Sequence, residues 1–275
     1  MVIVSNPMSD RHVLTSEPEL LNEDRASRYR SVVGTLNYYA CALRYDIAYP
    51  VSRLSQYSNT PTVGAERALN TVFNLAYLSN TTDFAITCES TDVDDVACYA
   101  DSDHAGDKEI DSRSQSSCMI LLNNAPAFCK STKQPATSLS SACAEIYALS
   151  ESVKQMRLFQ WRAEEYGVTL SWPFVVQVDN SQAKSFAEGT CVHSKLRGTF
   201  DVREKWVAEL RDANTLIVEK IDTTNNLADL MTKTHSTRRF KQLLNMIGSR
   251  GANGIVQDET MRALVAIGER SMFIC

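Results

Sequence analysis

The sequence predicts an α/β fold: a five-stranded mixed sheet with helices on both faces, preceded by a small helical segment. Three observations predict it. Apolar residues recur at helical spacing over roughly the first third of the chain. Short β-prone runs begin abruptly at residue 96. Beyond that point the order reads βββ-α-β-α-α-β-α, and three meandering strands followed by helix-linked strands argue a mixed sheet with helices packed on it.

Residues 1–28 are polar and lack sustained periodicity, so they read as an extended lead-in. From Tyr29 to Tyr57 the apolar positions Val32, Val33, Leu36, Tyr39, Ala40 and Leu43, then Ile47, Val51 and Leu54, fit two helices broken near Arg44–Asp46. Thr60-Pro61 begins a turn, and Ala65 to Leu78 reads as a third helix. The unit 29–88 is therefore helical. Glu89 to Asp95 is an acidic connector and marks a boundary.

Strand-like runs follow at Val96–Asp101, Cys118–Leu122 and Ala127–Ser131, with Asn123-Asn124-Ala125-Pro126 as the turn between the last two. A helix is expected from about Ala142 to Tyr166, stopped by Gly167. Phe174–Val178 is a fourth strand, and short helices cover about Ser181–Glu188 and Phe200–Arg211. Leu216–Ile221 is a fifth strand, and a helix starts near Asn226. The sheet-bearing unit spans 96–248. Residues 249–275 form a tail that includes a short helix around 260–267.

Composition excludes several function classes. Apolar residues make up 44% and charged residues 22%, as in ordinary globular proteins, and the longest apolar runs are too short to span a bilayer. No charged start followed by an apolar stretch marks a secretory signal. The eight cysteines form no C-x-x-C pair, and only four histidines are present, which argues against zinc and fits a reducing intracellular compartment. The net charge of −5 counts against a nucleic-acid ligand, but its distribution is uneven. Ten acidic residues and one lysine lie between Asp83 and Asp111, whereas five basic residues and no acidic one lie between Thr232 and Arg250. Local fields matter more than the sum when a ligand docks on one face.

Four acids stand out by position. Asp101 and Asp179 end the first and fourth strands, Glu145 sits in the first turn of the long helix, and Asp229 sits early in the helix after the fifth strand. Taken singly, each is more often a turn residue or a dipole partner. Brought together on adjacent strands and packed helices, they would repel one another, and a divalent cation removes the conflict. Hard oxygen ligands suit Mg²⁺ or Mn²⁺, and such a cluster can hold two ions roughly 3.5–4 Å apart for phosphodiester hydrolysis.

The flanks of these acids carry a resemblance. YRSVVGTLNYYACALRYDIAYPVSRLSQYS, YADSDHAGD, SRSQSS, STKQPATSLSSACAEIYAL, VQVDNSQA, VREKWVAEL and LADLMTK fall in one order across about residues 2–248. The ordered set resembles the ribonuclease H end of copia-type LTR retrotransposon Pol polyproteins, with residues 29–88 resembling the segment that joins reverse transcriptase to ribonuclease H. The resemblance implies a ribonuclease H-like fold and a metal-dependent endonuclease acting on the RNA strand of RNA/DNA hybrids. Asp101, Glu145, Asp179 and Asp229 would be its catalytic acids and metal ligands, with two Mg²⁺ or Mn²⁺ ions. It further implies an RNA/DNA hybrid and the rest of a reverse transcriptase as partners, no membrane, and an intracellular setting in cytoplasm, retrotransposon particles or nucleus.

Departures from the family pattern spare those acids. His104 stands where the family usually has Trp, Cys143 where it has a second Glu, and Gly198-Thr199-Phe200-Asp201 where it has K-H-I-D. Arg44-Tyr45-Asp46-Ile47 replaces R-P-D-I, and the helix at 65–78 lacks the family's usual basic residues. The alternative reading is therefore an inactive nucleic-acid-binding or structural remnant. Ser140, Ser141, Asn180 and Gln182 are expected to hydrogen-bond backbone or ribose 2′-OH. Lys130 and Lys133, with Lys195, Arg197, Arg203, Lys205, Arg238, Arg239 and Lys241, are candidates for tracking phosphates. Asp103 is a runner-up acid, Asp201 reads as a helix cap, and His104 reads as packing. The Asp92-Val93-Asp94-Asp95 run lacks the apolar hairpin of a polymerase site, so no polymerase activity is expected.

Overall fold

The computed structural model describes residues 6–8, 12–73, 77–82, 84–86, 95–106, 111–190, 197–247 and 249–251. Residues 92–94, Lys195 and the tail from 252 onward, with its expected helix, lie outside them.

Helix α1 spans Glu23–Ala42. It begins six residues before the periodic run at Tyr29, because Asn22 caps it by accepting from the Arg25 amide, and Glu23 and Asp24 complement its dipole. The lead-in is therefore partly structured, with a 3-10 turn at His12–Leu14 as well. Helices α2 (Ala48–Ser55) and α3 (Val63–Phe73) follow, and a short strand β1 spans Phe84–Ile86.

The main sheet starts at β2 (Val96–Asp103), followed by β3 (Gln115–Leu122) and β4 (Ala125–Lys133). Asn123 and Asn124 both take positive φ, 47° and 65°, which is the geometry a two-residue hairpin needs. Ala125 and Pro126 thus belong to β4 and not to the turn. Helix α4 (Ser141–Glu165) is capped by Ser140, and Gly167 lies just beyond it at φ 74°. Strand β5 (Phe174–Val178), helices α5 (Ser181–Ala187) and α6 (Arg197–Asp212), and strand β6 (Leu216–Lys220) complete the α/β part. Asp201 lies inside α6, not at its cap. The expected helix near Asn226 is a 3-10 turn, Leu227–Met231, and the α-helix α7 (Thr237–Met246) comes after it. The last strand, β7 (Ser249–Gly251), pairs antiparallel with β1, a contact no local pattern announced.

The strand order of the main sheet is β4-β3-β2-β5-β6. β2, β3 and β4 pair antiparallel, while β5 and β6 run parallel to β2. This is the five-stranded mixed sheet that the sequence predicts. Period-two alternation sends successive side chains to opposite faces. On β3, Cys118, Ile120 and Leu122 join Ile146, Leu149 and Val153 of α4 in one core. Met119 and Leu121 point the other way, into a second core with Leu36 of α1, Leu54 of α2 and Met231. The N-terminal helices are therefore not a detached unit, since they cover the second face of the sheet. A polar seam reinforces the contact. Gln115 donates to Ser52 Oγ at 2.8 Å and Ser131 Oγ at 2.9 Å, and Lys133 donates to Gln56 at 3.0 Å.

Candidate active site

Parallel pairing of β2 with β5 aligns Ala97 with Val175 and Tyr99 with Gln177. The same offset carried two residues further brings Asp101 opposite Asp179, just past the end of β5, where β2 is still paired with β3. Asp101 alternates with Cys98 and Ala100, which are buried under α4, so its carboxylate faces the opposite side, where the 3-10 turn Leu227–Met231 lies. Glu145 reaches the same point from the second turn of α4, whose start is fixed because Ser140 accepts from the Cys143 amide and donates to Cys143 Sγ at 3.1 Å.

Three of the four predicted acids converge closely. Asp101, Glu145 and Asp179 each offer a carboxylate oxygen, all within 4.8 Å of one another. Asp229 is not part of that set. It stands beside it, 4% exposed, with Lys233 Nζ at 2.5 Å and Arg239 Nη2 at 3.4 Å. Four hydrogen bonds pin the Asp229 turn to the sheet. Asn226 donates to the Ala100 carbonyl at 3.0 Å, Ser117 donates to the Ala228 carbonyl at 2.8 Å, Ser131 donates to the Met231 carbonyl at 2.6 Å, and Thr232 Oγ1 donates to Asp101. His235 Nε2 lies 2.8 Å from the Asp229 carbonyl oxygen.

The electrostatics follow from burial and crowding. Burial pushes the Asp101 carboxyl up to about 7; Asp229 and Asp179 add to the rise, while Lys233 and the Thr232 hydroxyl oppose it. Burial, then Asp101 and Asp179, push Glu145 up to about 9. A cluster that resists its own ionisation in this way, built only of carboxylate oxygens, has the donor chemistry of a hard divalent cation site.

The expected substrate contacts show mixed roles. Ser140 and Asn180 are helix caps, the latter accepting from the Gln182 and Ala183 amides, while the Ser141 and Gln182 side chains are exposed. Lys130 is half-buried and Lys133 is tied to Asp111 at 2.6 Å. Arg239 is spent on Asp229 and the Thr224 carbonyl, whereas Lys205, Arg238 and Lys241 are exposed. The Arg197 and Arg203 side chains lie outside the described set. His104 is half-buried, with Nε2 3.1 Å from the Ser138 carbonyl oxygen. Asp103, which ends β2, packs so closely on Gly106 that any Cβ there would collide with its carboxylate. Two residues that sequence reasoning left unmarked belong to the site. They are Thr232 and Lys233, and the signal that could have found Lys233 is its i,i+4 spacing from Asp229.

No protein-family model matches the chain. It is similar to the Retrovirus-related Pol polyprotein from transposon RE1 of Arabidopsis thaliana, 30% identical over 222 residues, covering 81% of this chain and 15% of that protein. It is also 30% identical over 221 residues to the Retrovirus-related Pol polyprotein from transposon TNT 1-94 of Nicotiana tabacum, covering 80% of this chain and 16% of that protein. The chain thus spans about a sixth of the length of these relatives. Among solved structures, LC11-RNase H1 in complex with RNA/DNA hybrid is similar at 13% identity and TM-score 0.39, over 50% of this chain and 93% of that one. A likeness that slight carries no argument about activity. No described helix is long and apolar enough to cross a membrane.

Proposed function

We propose that this chain, which is similar over about four fifths of its length to retrovirus-related retrotransposon Pol polyproteins, is a ribonuclease H, a metal-dependent endonuclease that hydrolyses the RNA strand of RNA/DNA hybrids during reverse transcription. The observation that carries the proposal is the convergence of Asp101, Glu145 and Asp179 within 4.8 Å, with Asp229 alongside. Four residues from distant points of the chain stand together in a crowded, mostly buried carboxylate cluster.

Asp101, Glu145, Asp179 and Asp229 would hold two Mg²⁺ or Mn²⁺ ions. Bound there, divalent ions would supply a water of lowered pKa and charge compensation at the leaving oxygen. The chain's own part is positional. Thr232 orients the Asp101 carboxylate, the Ser140 cap sets where α4 begins and hence where Glu145 points, and the Asn226 and Ser117 bonds set the depth of Asp229. Exposed Ser141, Gln182, Arg238 and Lys241 are available to contact backbone phosphates or a ribose 2′-OH. The rest of a reverse transcriptase is the expected protein partner, in an intracellular setting.

One observation favours a second reading, an inactive binding or structural remnant: Lys133 and Arg239, expected on phosphates, are engaged internally. Purified chain, a labelled RNA/DNA hybrid and Mg²⁺ or Mn²⁺ separate the two. Metal-dependent RNA cleavage that disappears in Asp101→Asn and in Asp179→Asn supports the nuclease. Hybrid binding without cleavage in either metal supports the remnant and rejects the nuclease.

A further inference from the structure

We infer that Lys233 is a built-in counter-ion that holds the place of the second divalent cation, between Asp101 and Asp229, and must swing aside for that cation to bind. The inference rests on the metal-site reading proposed above and specifies how that site is loaded.

The four carboxylates divide into two groups. Asp101, Glu145 and Asp179 have oxygens close enough to share one ion's ligand shell. Asp229 can join Asp101 only in a second, adjacent shell, and there the structure already places a cation. Lys233 Nζ lies 2.5 Å from Asp229 Oδ1 and 3.8 Å from Asp101 Oδ2, so a single ammonium bridges the two acids. An ammonium and a divalent ion use the same carboxylate lone pairs and repel each other a few ångströms apart, so the two exclude one another.

Mobility distinguishes Lys233 from the other cation nearby. Arg239 is anchored by the Thr224 carbonyl at 2.9 Å and the Thr223 carbonyl at 3.4 Å, so it cannot leave without breaking the turn that holds it. Among the described residues the Lys233 ammonium pairs only with these two carboxylates, and its side chain is 36% exposed, which leaves a four-carbon stem with solvent to swing into. The first ion therefore meets a preformed triad, whereas the second meets an occupied place. Without substrate the chain should load one ion readily and the second poorly.

The test is Mn²⁺ binding to the full chain without nucleic acid, read by calorimetry and by electron paramagnetic resonance of free Mn²⁺. The variants are Lys233→Gln and Lys233→Arg, with circular dichroism to confirm folding. Wild type is expected to bind one ion, Lys233→Gln to bind two or to tighten the second at least ~10-fold, and Lys233→Arg to behave like wild type. If Lys233→Gln binds Mn²⁺ with unchanged or weaker stoichiometry and affinity while wild type binds one ion, the counter-ion role is overturned and the triad stands. If wild type already binds two ions with similar affinity, the role is likewise overturned. If no folded form binds Mn²⁺, the metal-site reading itself falls, and this inference with it.

Discussion

Replacing Asp101 by Asn should stabilise the protein in the absence of metal while abolishing its response to metal. Asp101 is buried, and its carboxyl is pushed up to about 7 from an ordinary value near 4. Its folded-state pKa is thus raised, so the folded state binds the proton more tightly than the unfolded chain does. Stability is then highest at low pH and is lost as pH rises from about 4 to about 7, the window between the two values. A rise from near 4 to about 7 corresponds to about 4 kcal/mol at most. Glu145 is coupled to the same charge and takes part of the relief, so a gain of about 1–3 kcal/mol at pH 8 is the realistic expectation. Asn keeps an acceptor for the Thr232 hydroxyl, and Lys233 keeps Asp229. Urea denaturation at pH 8 in chelator should therefore show Asp101→Asn more stable than wild type, with a melting temperature higher by roughly 2–4 °C per kcal/mol. The gap should narrow at pH 5, where wild-type Asp101 is protonated. Mg²⁺ at about a thousandfold excess over the dissociation constant should invert the order, since it stabilises only the protein that binds it, by about 4.1 kcal/mol. An Asp101→Asn variant less stable than wild type at pH 8 in chelator, or a gap that widens on acidification, would refute the account of a charge-strained carboxylate cluster.

Thr232→Val removes the hydroxyl that donates to Asp101, which should cost about 1–2 kcal/mol in urea denaturation and lower hybrid cleavage without changing hybrid affinity in a binding assay. Ser140→Ala deletes the α4 cap and should lower stability by about 1 kcal/mol, whereas Ser140→Asp should largely restore it in the same melt. Leu121→Ala opens the core shared by the sheet and the N-terminal helices and should cost roughly 2–5 kcal/mol. Its unfolding should stay a single transition by tryptophan fluorescence and circular dichroism, because both parts share that core; two separated transitions would contradict the packing. Gly106→Ala pushes on the Asp103 carboxylate and should destabilise the chain by about 1–3 kcal/mol in thermal melts.

The pattern of residues alone determined the mixed sheet, the long helix and the identity of the acids. Phe174–Val178 is bounded in the sequence as it is in space, because a run of β-branched and aromatic residues flanked by Pro173 and Asp179 is a local signal. The α4 region and Gly167 were legible for the same reason: period, cap and stop all lie within the element. The start of α1 at Glu23 is signalled by the cap Asn22-Glu23-Asp24, ahead of the apolar period that begins at Tyr29. What only the tertiary structure decided depends on residues far apart in the chain. The pairing of β1 with β7 joins segments with no turn between them to advertise it. The stretch after Asn226 forms a 3-10 turn because its polar groups bond to Ala100, Ser117 and Asp101 across the sheet, a tertiary demand that overrides helical spacing. The unity of the helical segment with the sheet rests on Met119 and Leu121 emerging from the opposite face to Cys118 and Ile120. The grouping of the acids as three and one was also beyond the sequence. Spacing can name four carboxylates, but the strand offset, the helix entry point and a lysine reaching back one turn set which oxygens meet.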